Sequence, residues 1–226
     1  MLTVDLFLRQ TFGFGVELPI IVKETNQANL QLLSDVSPII NLRRFRAYRE
    51  ASDDLPDDLA LVHLFTGIDH GSNLSGAAEI GGMCSTDGSD SSLTELTSFL
   101  TALTVHEIGH SLGALHDEDI QACSDTDFLM RTIVTDSTQL DFSSCTIDSI
   151  NNFLSQKSCF VDPGLQPGQG FLENTDIITT TGEPIALNLA DSSGSGKFDL
   201  FFLILLCLYL PMKYSNCQYR FVLLND

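Results

Sequence analysis

The residues best suited to chemistry in this sequence are three histidines in the stretch V-H-E-I-G-H-S-L-G-A-L-H-D. His106 and His110 are four residues apart, so a helix would present both imidazoles on one face. Gly113 can adopt a positive φ at little cost, and a sharp turn there would bring His116 to the same point. Three neutral imidazoles that leave a fourth position open are typical of a catalytic zinc site. The spacing therefore predicts that these histidines bind Zn²⁺.

Glu107 adds a carboxylate at the edge of the same helix face. It is near enough to hold a water molecule bound to the metal and to act on that water as a general base. A bare H-E-x-x-H pattern also occurs in long helices whose histidines are simply solvated. The added Gly113 and His116, at fixed offsets, favour the metal site over that alternative.

The elements around the motif are those that would hold such a site rigidly. Leu59–Thr66 is a continuous apolar run, which predicts a buried central strand with His63 in a structural role. Ser92–Glu95 has capping-box spacing, and apolar residues then follow at helical spacing from Leu96 to Leu112. We therefore expect a long core helix that carries the histidines on its second half.

Further elements are predicted elsewhere in the chain. Val16–Lys23 is apolar and β-branched enough to form a strand. Ile39–Ala51 and Ile147–Leu154 each space apolar residues for one buried face of a helix. His70 lies in a polar loop, where we expect it to be solvated.

The segment Ser75–Cys84 is small and rich in glycine, a composition found where another chain approaches a backbone closely. In an enzyme that cuts peptides, such a strand could pair with an extended substrate through main-chain hydrogen bonds. Without the metal motif, an ordinary glycine-rich strand and loop would be an equally good interpretation.

The length and composition of the chain restrict the number of domains and the kinds of partner that it can have. The chain has 226 residues, of which 43% are hydrophobic, enough for one large domain or for one domain with an appendage. Its 30 acidic residues outnumber 11 basic ones, and the net charge is -19. Such a surface repels phosphate backbones, so we expect no nucleic-acid partner.

The cysteines indicate an exported protein. None of the six forms a C-x-x-C pair, which argues against zinc-finger or redox use. Four of them flank the histidine motif at wide spacing, as disulfides do in secreted proteins, and Asn73-Leu74-Ser75 is a candidate glycosylation site. No signal peptide is recognisable in Met1–Leu8. We therefore expect an extracellular protein whose amino-terminal part is missing from this chain.

A composition shift after Asp162, towards glycine, proline, serine and threonine, predicts a boundary between residues 1–162 and a tail of residues 163–226. Within the tail, Pro184–Leu189 is a possible strand, and Leu200–Met212 is apolar over 13 residues. As a helix, that segment would span about 20 Å, short of the roughly 30 Å hydrocarbon core of a membrane. A membrane anchor is therefore not expected.

With these residues assembled, the chain resembles the adamalysin (reprolysin) family of metzincin zinc endopeptidases over about Val16–Asp162. Asp117, directly after the third histidine, is the mark of that family among the metzincins. Met130 lies where the family's Met-turn would pack beneath the zinc ligands. Phe65-Thr66-Gly67 followed by Gly76–Cys84 is similar to its central strand and substrate-binding edge strand.

The resemblance implies further assignments. Phe142–Cys145 and Cys159-Phe160 are similar to the closing cysteine segments of the family, which implies the disulfides Cys84–Cys159 and Cys123–Cys145. Substrate would lie extended along Ala78, Glu79, Ile80 and Gly81.

The implied fold is the α+β zincin (metzincin) fold. It has a mixed, twisted sheet with an antiparallel edge strand, a long active-site helix, and a small C-terminal subdomain after the third zinc histidine. Residues 1–162 would be the peptidase domain, without the family's opening strand and helix. The family's structural calcium site has no clear match, so calcium is possible but not supported by the sequence.

The implied function is that of a zinc-dependent endopeptidase, which hydrolyses peptide bonds in extracellular proteins with Glu107 activating a zinc-bound water. The expected cofactor is one Zn²⁺ and the expected partner a protein or peptide; the oligomeric state is left open. Two alternatives are a non-catalytic binding protein built on a degenerate protease domain, and a zinc hydrolase that acts on something other than peptides. The intact ligand set argues against the first, and the glycine-rich strand and Met130 argue against the second.

Overall fold

The centre of the fold is strand β3, which is buried along its whole length in a computed structural model of the chain. In chain order, the described elements are α1 (Leu2–Phe12), β1 (Gly15–Glu17), β2 (Ile20–Glu24), α2 (Pro38–Ala51), β3 (Leu61–Thr66), β4 (Gly76–Ala78), β5 (Ser91–Glu95), α3 (Leu100–Ser111), a 3-10 turn (Asp117–Asp119), α4 (Ser144–Leu154), β6 (Asp176–Thr179) and β7 (Asn216–Leu224). The structure describes residues 2–17, 20–24, 30–53, 55, 59–71, 74–120, 123, 128–157, 159, 176–179 and 216–224.

The alternation of side chains along β3 divides the core into two layers. Leu61 and Phe65 face a cluster shared with α1 and α3. Val62 and Leu64 face a second cluster, which includes Phe45 of α2. Both faces of the strand are covered, which is why its sequence is a continuous apolar run rather than an alternating one. Full burial of each such side chain contributes about 1.5–3 kcal/mol to stability.

The sheet is mixed and runs in the order β4-β5-β3-β7-β2-β6, with β1 also paired to β7. Every pair is parallel except β4 with β5, which is antiparallel. The register places Gly76 opposite Thr94 and Ala77 opposite Leu93. A mixed sheet with an antiparallel edge strand, covered by helices, is the architecture that the resemblance implied, and that fold prediction is confirmed.

Strand β7, near the end of the chain, lies between β3 and β2. Val222 is the register partner of Leu64 on one side and of Val22 on the other. Strand β6 extends the same sheet beyond β2. The predicted tail of residues 163–226 thus supplies two strands to the sheet, while the division at Asp162 stays a prediction about folding units.

The predicted start of the active-site helix is wrong. Ser91–Glu95 forms strand β5, parallel to β3, and α3 begins only at Leu100. Leu96 is 51% exposed and lies outside the helix. The capping-box spacing is a local signal, and pairing with β3 together with burial of Leu93 outweighs it.

Other predictions have mixed outcomes. The strand predicted at Val16–Lys23 is present as β1 and β2, and both other predicted helices are present as α2 and α4. Helix α1, for which no element was predicted, buries Val4 and Leu8 against α3. The prediction that His70 is solvated is wrong, because its ring is buried and its Nδ1 lies 3.3 Å from Oε2 of Glu95.

Three predictions fall outside the described residues: the strand at Pro184–Leu189, the apolar segment Leu200–Met212 and the glycosylation site at Asn73. In the described part of the chain, none of the helices has the length and apolar character that crossing a membrane requires.

Candidate active site

Helix α3 carries His106 and His110 one turn apart on a buried face. The helix ends at Ser111 with Leu112 as its C-cap, and Gly113 follows with a φ of +89°. A side chain is strained in that conformation, so glycine is the residue that permits the turn. Beyond it the chain doubles back, and His116 reaches the two histidines of the helix.

The three imidazoles converge on one point. Nε2 of His110 lies 3.1 Å from Nε2 of His116, and one ring nitrogen from each of the three histidines lies within 4.8 Å of the others. Two nitrogens bound tetrahedrally to one zinc ion, at about 2.0–2.1 Å, are roughly 3.3 Å apart. The spacing of His110 and His116 therefore fits a shared zinc ion. Among the described residues, this is the one such cluster of metal-binding side chains.

Backbone carbonyl groups orient two of these rings. Nδ1 of His106 donates to the carbonyl oxygen of Leu129, and Nδ1 of His110 donates to that of Ala114, both at 2.8 Å. These hydrogen bonds place the proton on Nδ1 and leave Nε2 with a free lone pair. Metal-binding histidines are typically held in this way by a partner on the other ring nitrogen.

Burial keeps the two helix imidazoles uncharged. It lowers the pKa of His106 to about 3, with a further contribution from the neighbouring His110. It also lowers the pKa of His110 to about 4. Both rings are therefore neutral near pH 7, and the neutral imidazole is the form that binds a metal.

Glu107 is buried beside the histidines and faces the edge strand β4. Its Oε2 atom has no hydrogen-bond partner among the described residues. Burial raises the pKa of Glu107 well above its usual value. A cation at the three imidazoles would lower that pKa again and favour the carboxylate. A buried, unpaired carboxyl oxygen next to three convergent imidazoles fits a site that takes a cation and a water molecule.

Met130 is fully buried beneath α3. A Cβ at Gly109 would lie 2.6 Å from the Met130 sulfur, so the helix can approach this methionine only because position 109 has no side chain. The motif spacing assigns no role to Gly109. Its signal was a glycine in a helix interior, where glycine is unfavourable unless close packing requires it.

Asp117, directly after the third histidine, is bound to the start of α4 and to Met130. Its carboxylate is fully buried and accepts hydrogen bonds from the hydroxyl groups of Ser143 and Thr146. Its backbone N–H donates to the carbonyl oxygen of Met130 at 2.8 Å. Ser143 is also the N-cap of α4, where its hydroxyl oxygen accepts from the backbone N–H of Thr146. The residue that follows His116 is thus fixed to the helix and to the methionine at once.

An open cleft lies between β4 and the histidines. Ala78 and Ile80, two of the four residues predicted to bind substrate, line it. Glu79 and Gly81 are not among its lining residues. The Glu79 carboxylate lies 3.9 Å from the guanidinium of Arg46 on α2. The N–H of Gly81 donates to the carbonyl oxygen of His110. The cleft instead follows the strand further towards its start, at Ser75, Gly76 and Ala77.

The cysteines pair as the resemblance implied. One disulfide joins Cys84, just after the edge strand, to Cys159, just after α4. The other joins Cys123 to Cys145 in the first turn of α4. The two links tie the two ends of α4 to the segments that follow the edge strand and the 3-10 turn.

Residues 20–163 match the model of the reprolysin (M12B) family of zinc metalloproteases. The chain is 28% identical over 170 residues to the disintegrin and metalloproteinase domain-containing protein 22 of Mus musculus, a match that covers 68% of this chain and 18% of that protein. It is 29% identical over 111 residues to a zinc metalloproteinase/disintegrin of Gloydius halys, which covers 47% of this chain and 23% of that protein. The chain thus spans about a fifth of the length of these curated relatives.

Among solved structures, metalloproteinase-II from Bacteroides fragilis is similar, with a TM-score of 0.48 and 13% sequence identity over 60% of this chain and 52% of that chain. The family match is the more extensive finding, because it includes all three histidines, Glu107, Asp117 and Met130 and covers more than half of the sequence. The chain therefore belongs to the reprolysin (M12B) family of zinc metalloproteases.

Proposed function

We propose that this protein is a zinc-dependent endopeptidase that hydrolyses peptide bonds in extracellular proteins. The observation that carries the proposal is the convergence of three imidazoles beside the buried Glu107, in a cleft that follows an edge strand. Membership of the family supports peptide bonds as the substrate. The two disulfides support an oxidising, extracellular setting.

His106, His110 and His116 would hold one Zn²⁺ through ring nitrogens. When bound, the ion lowers the pKa of a water molecule and polarises a carbonyl oxygen. Glu107 takes the proton from the attacking water and delivers it to the leaving amine, as a general base and then as a general acid. The carbonyl groups of Leu129 and Ala114 hold two of the rings in place through their Nδ1 atoms.

Strand β4 is the element that would bind the substrate backbone. It pairs with β5 on one side only, so among the described elements its other edge is free for an extended peptide. A peptide there would add a strand to the sheet through main-chain hydrogen bonds. The scissile bond would then lie beside Glu107, which faces the same strand.

The direct test is cleavage of an unfolded protein by the purified chain, with and without a zinc chelator. We expect cutting that the chelator abolishes and that added Zn²⁺ restores. A folded, zinc-loaded chain that cuts no peptide bond would favour the non-catalytic binding protein. Chelator-sensitive hydrolysis of small esters without peptide cleavage would favour a different hydrolase.

The role of Glu107 is tested by Glu107→Ala, with Glu50→Ala as the matched control. Glu50 is an exposed glutamate on α2, paired with Arg46 at 3.2 Å and away from the cleft. We expect Glu107→Ala to abolish cleavage while the zinc content stays at one ion per chain, and Glu50→Ala to cleave like the parent. Cleavage by Glu107→Ala at the parent rate would refute the mechanism.

A further inference from the structure

Gly76, on the edge strand, lies directly against the carboxylate of Glu107. A Cβ built at position 76 would lie 2.3 Å from Oε1 of Glu107, 2.9 Å from its Cδ and 3.0 Å from its Cγ. Outside Gly76 and its two chain neighbours, these are the three nearest atoms to that position, and all belong to the same side chain. We propose that Gly76 is a positioning residue for the general base, because only a residue without a side chain leaves the space that the Glu107 carboxylate occupies. The inference rests on the proposed function of Glu107.

The backbone conformation does not explain the glycine. Gly76 lies within β4, opposite Thr94, and is not among the residues with a positive φ. Glycine is disfavoured in a strand interior, because it loses more conformational freedom on folding and provides no side chain to pack. Its neighbours Ala77 and Ala78 both carry a Cβ in the same strand. The close approach of Glu107 is therefore the requirement that the structure shows at this position.

An added methyl group would move the carboxylate and leave the backbone in place. Strand β4 is held by its antiparallel pairing with β5, and the carbonyl oxygen of Ser75 accepts from the N–H of Glu95 at 2.7 Å. The Glu107 carboxyl group, by contrast, is the flexible end of a long side chain. Relief of the 2.3 Å contact to an ordinary van der Waals distance needs a displacement of about 1 Å. A misplacement of that size reduces the rate of a catalysed step by about 100-fold.

The first experiment is Gly76→Ala in the full chain, measured as kcat and KM on a fluorogenic peptide, together with the zinc content. We expect kcat to fall by about 100-fold while the chain retains its zinc, since the histidines are not displaced. KM should change much less than kcat, because the main-chain groups of β4 that would pair with the substrate stay in place. An unchanged kcat would overturn the proposal, and so would a loss of zinc that parallels the loss of activity.

The second experiment needs no catalysis. Gly76→Ala is made in the parent and in a Glu107→Ala background, and the melting temperature Tm of each is measured. We expect Gly76→Ala to lower Tm in the parent and to raise it, or leave it unchanged, in the Glu107→Ala background, where no carboxylate has to move. An equal drop in both backgrounds would show that the strand itself requires glycine. Should Gly76→Ala alone fail to fold, recovery of folding in the double variant supports the proposal, and failure of both overturns it.

The matched control is Ala77→Gly in the same two backgrounds. Ala77 is buried on the opposite face of β4, in the cluster that contains Leu93. We expect the same shift of Tm in both backgrounds, since Ala77 does not face Glu107. The Tm comparison holds even where peptide cleavage is absent, so a failure of the proposed function is distinguished from a failure of this inference.

Discussion

The buried carboxylate of Asp117 accepts a hydrogen bond of 2.5 Å from the hydroxyl group of Ser143, the residue that caps helix α4. Thr146, one turn into the helix, donates to the same oxygen at 3.0 Å. Because Asp117 directly follows the third histidine, the position of His116 depends on a contact made 26 residues further along the chain. The third histidine is thus held in place by tertiary structure and not by the helix that carries His106 and His110.

Replacement of Asp117 by alanine should destabilise the protein. The change leaves the buried hydroxyl group of Thr146 without its acceptor and the Ser143 hydroxyl with only the longer contact of 3.2 Å to Oγ1 of Thr146, which costs about 1–3 kcal/mol. The free energy of unfolding from urea denaturation measures this loss. The exposed Asp136→Ala, in the same subdomain, is the control and should stay within about 0.5 kcal/mol of the parent. Equal stability of the two variants would contradict the role assigned to Asp117.

The disulfide Cys84–Cys159 should stabilise the fold more than Cys123–Cys145. The first closes a loop with a sequence separation of 75 and the second one of 22. From the loss of chain entropy in the unfolded state, we expect about 4 kcal/mol for the first and about 3 kcal/mol for the second. Each pair is replaced by two serines, and the loss of unfolding free energy in urea is compared between the two variants. Peptide mapping without reduction checks which cysteines are paired. A larger loss of unfolding free energy on removal of Cys123–Cys145 would contradict the prediction.

The integrity of the sheet should depend on β7. Val222 lies between β3 and β2, so a proline there removes a backbone donor from the centre of the sheet. We expect Val222→Pro to be strongly destabilised and to lose cooperative thermal unfolding, because the ladder loses a hydrogen bond at its centre. Val222→Thr keeps the N–H group and the branching at Cβ, so it should retain cooperative unfolding. Cooperative unfolding of Val222→Pro at the parent Tm would show that β7 does not hold the sheet together.

His63 should make stability depend on pH. Burial lowers its pKa to about 3, and its ring nitrogens lie 2.6 Å from Oγ of Ser92 and 3.0 Å from Oγ1 of Thr94. The unfolded chain binds a proton at His63 below about pH 6.5, whereas the folded chain does not until about pH 3. The folded state therefore loses stability as pH falls through this window, by about 3 kcal/mol between pH 7 and pH 4.

The test is the difference in unfolding free energy between the parent and His63→Gln, measured from pH 7 to pH 4. That difference should shrink as pH falls, since the variant lacks the titrating group, and the contributions of the other histidines cancel. Ser92→Ala removes one hydrogen-bond partner but no titrating group, so its difference from the parent should be far less dependent on pH. A difference that stays constant for His63→Gln would show that His63 gains its proton equally in both states.

The candidate metal-binding side chains are predicted by spacing along a single stretch of the sequence. The spacing of His106 and His110 fixes their side chains on one face of any helix, because helix geometry is a property of the local backbone. Gly113 likewise specifies a turn that few other residues permit. The buried central strand around His63 was predictable as well, since a short apolar run has few alternatives to burial. These signals are local, and local signals can be read from one chain.

The pairing of segments and the contacts between distant side chains depend on packing across the whole fold. Ser92–Glu95 has the spacing of a capping box, yet it lies in β5, because pairing with β3 and burial outweigh a local cap. His70 is buried and lies beside Glu95, and β7 enters the sheet from the far end of the chain. The contact between Gly76 and Glu107 joins residues 31 positions apart, on two different elements. Contacts of this kind arise from packing between segments that are distant in the chain, and the periodicity of the sequence does not predict them.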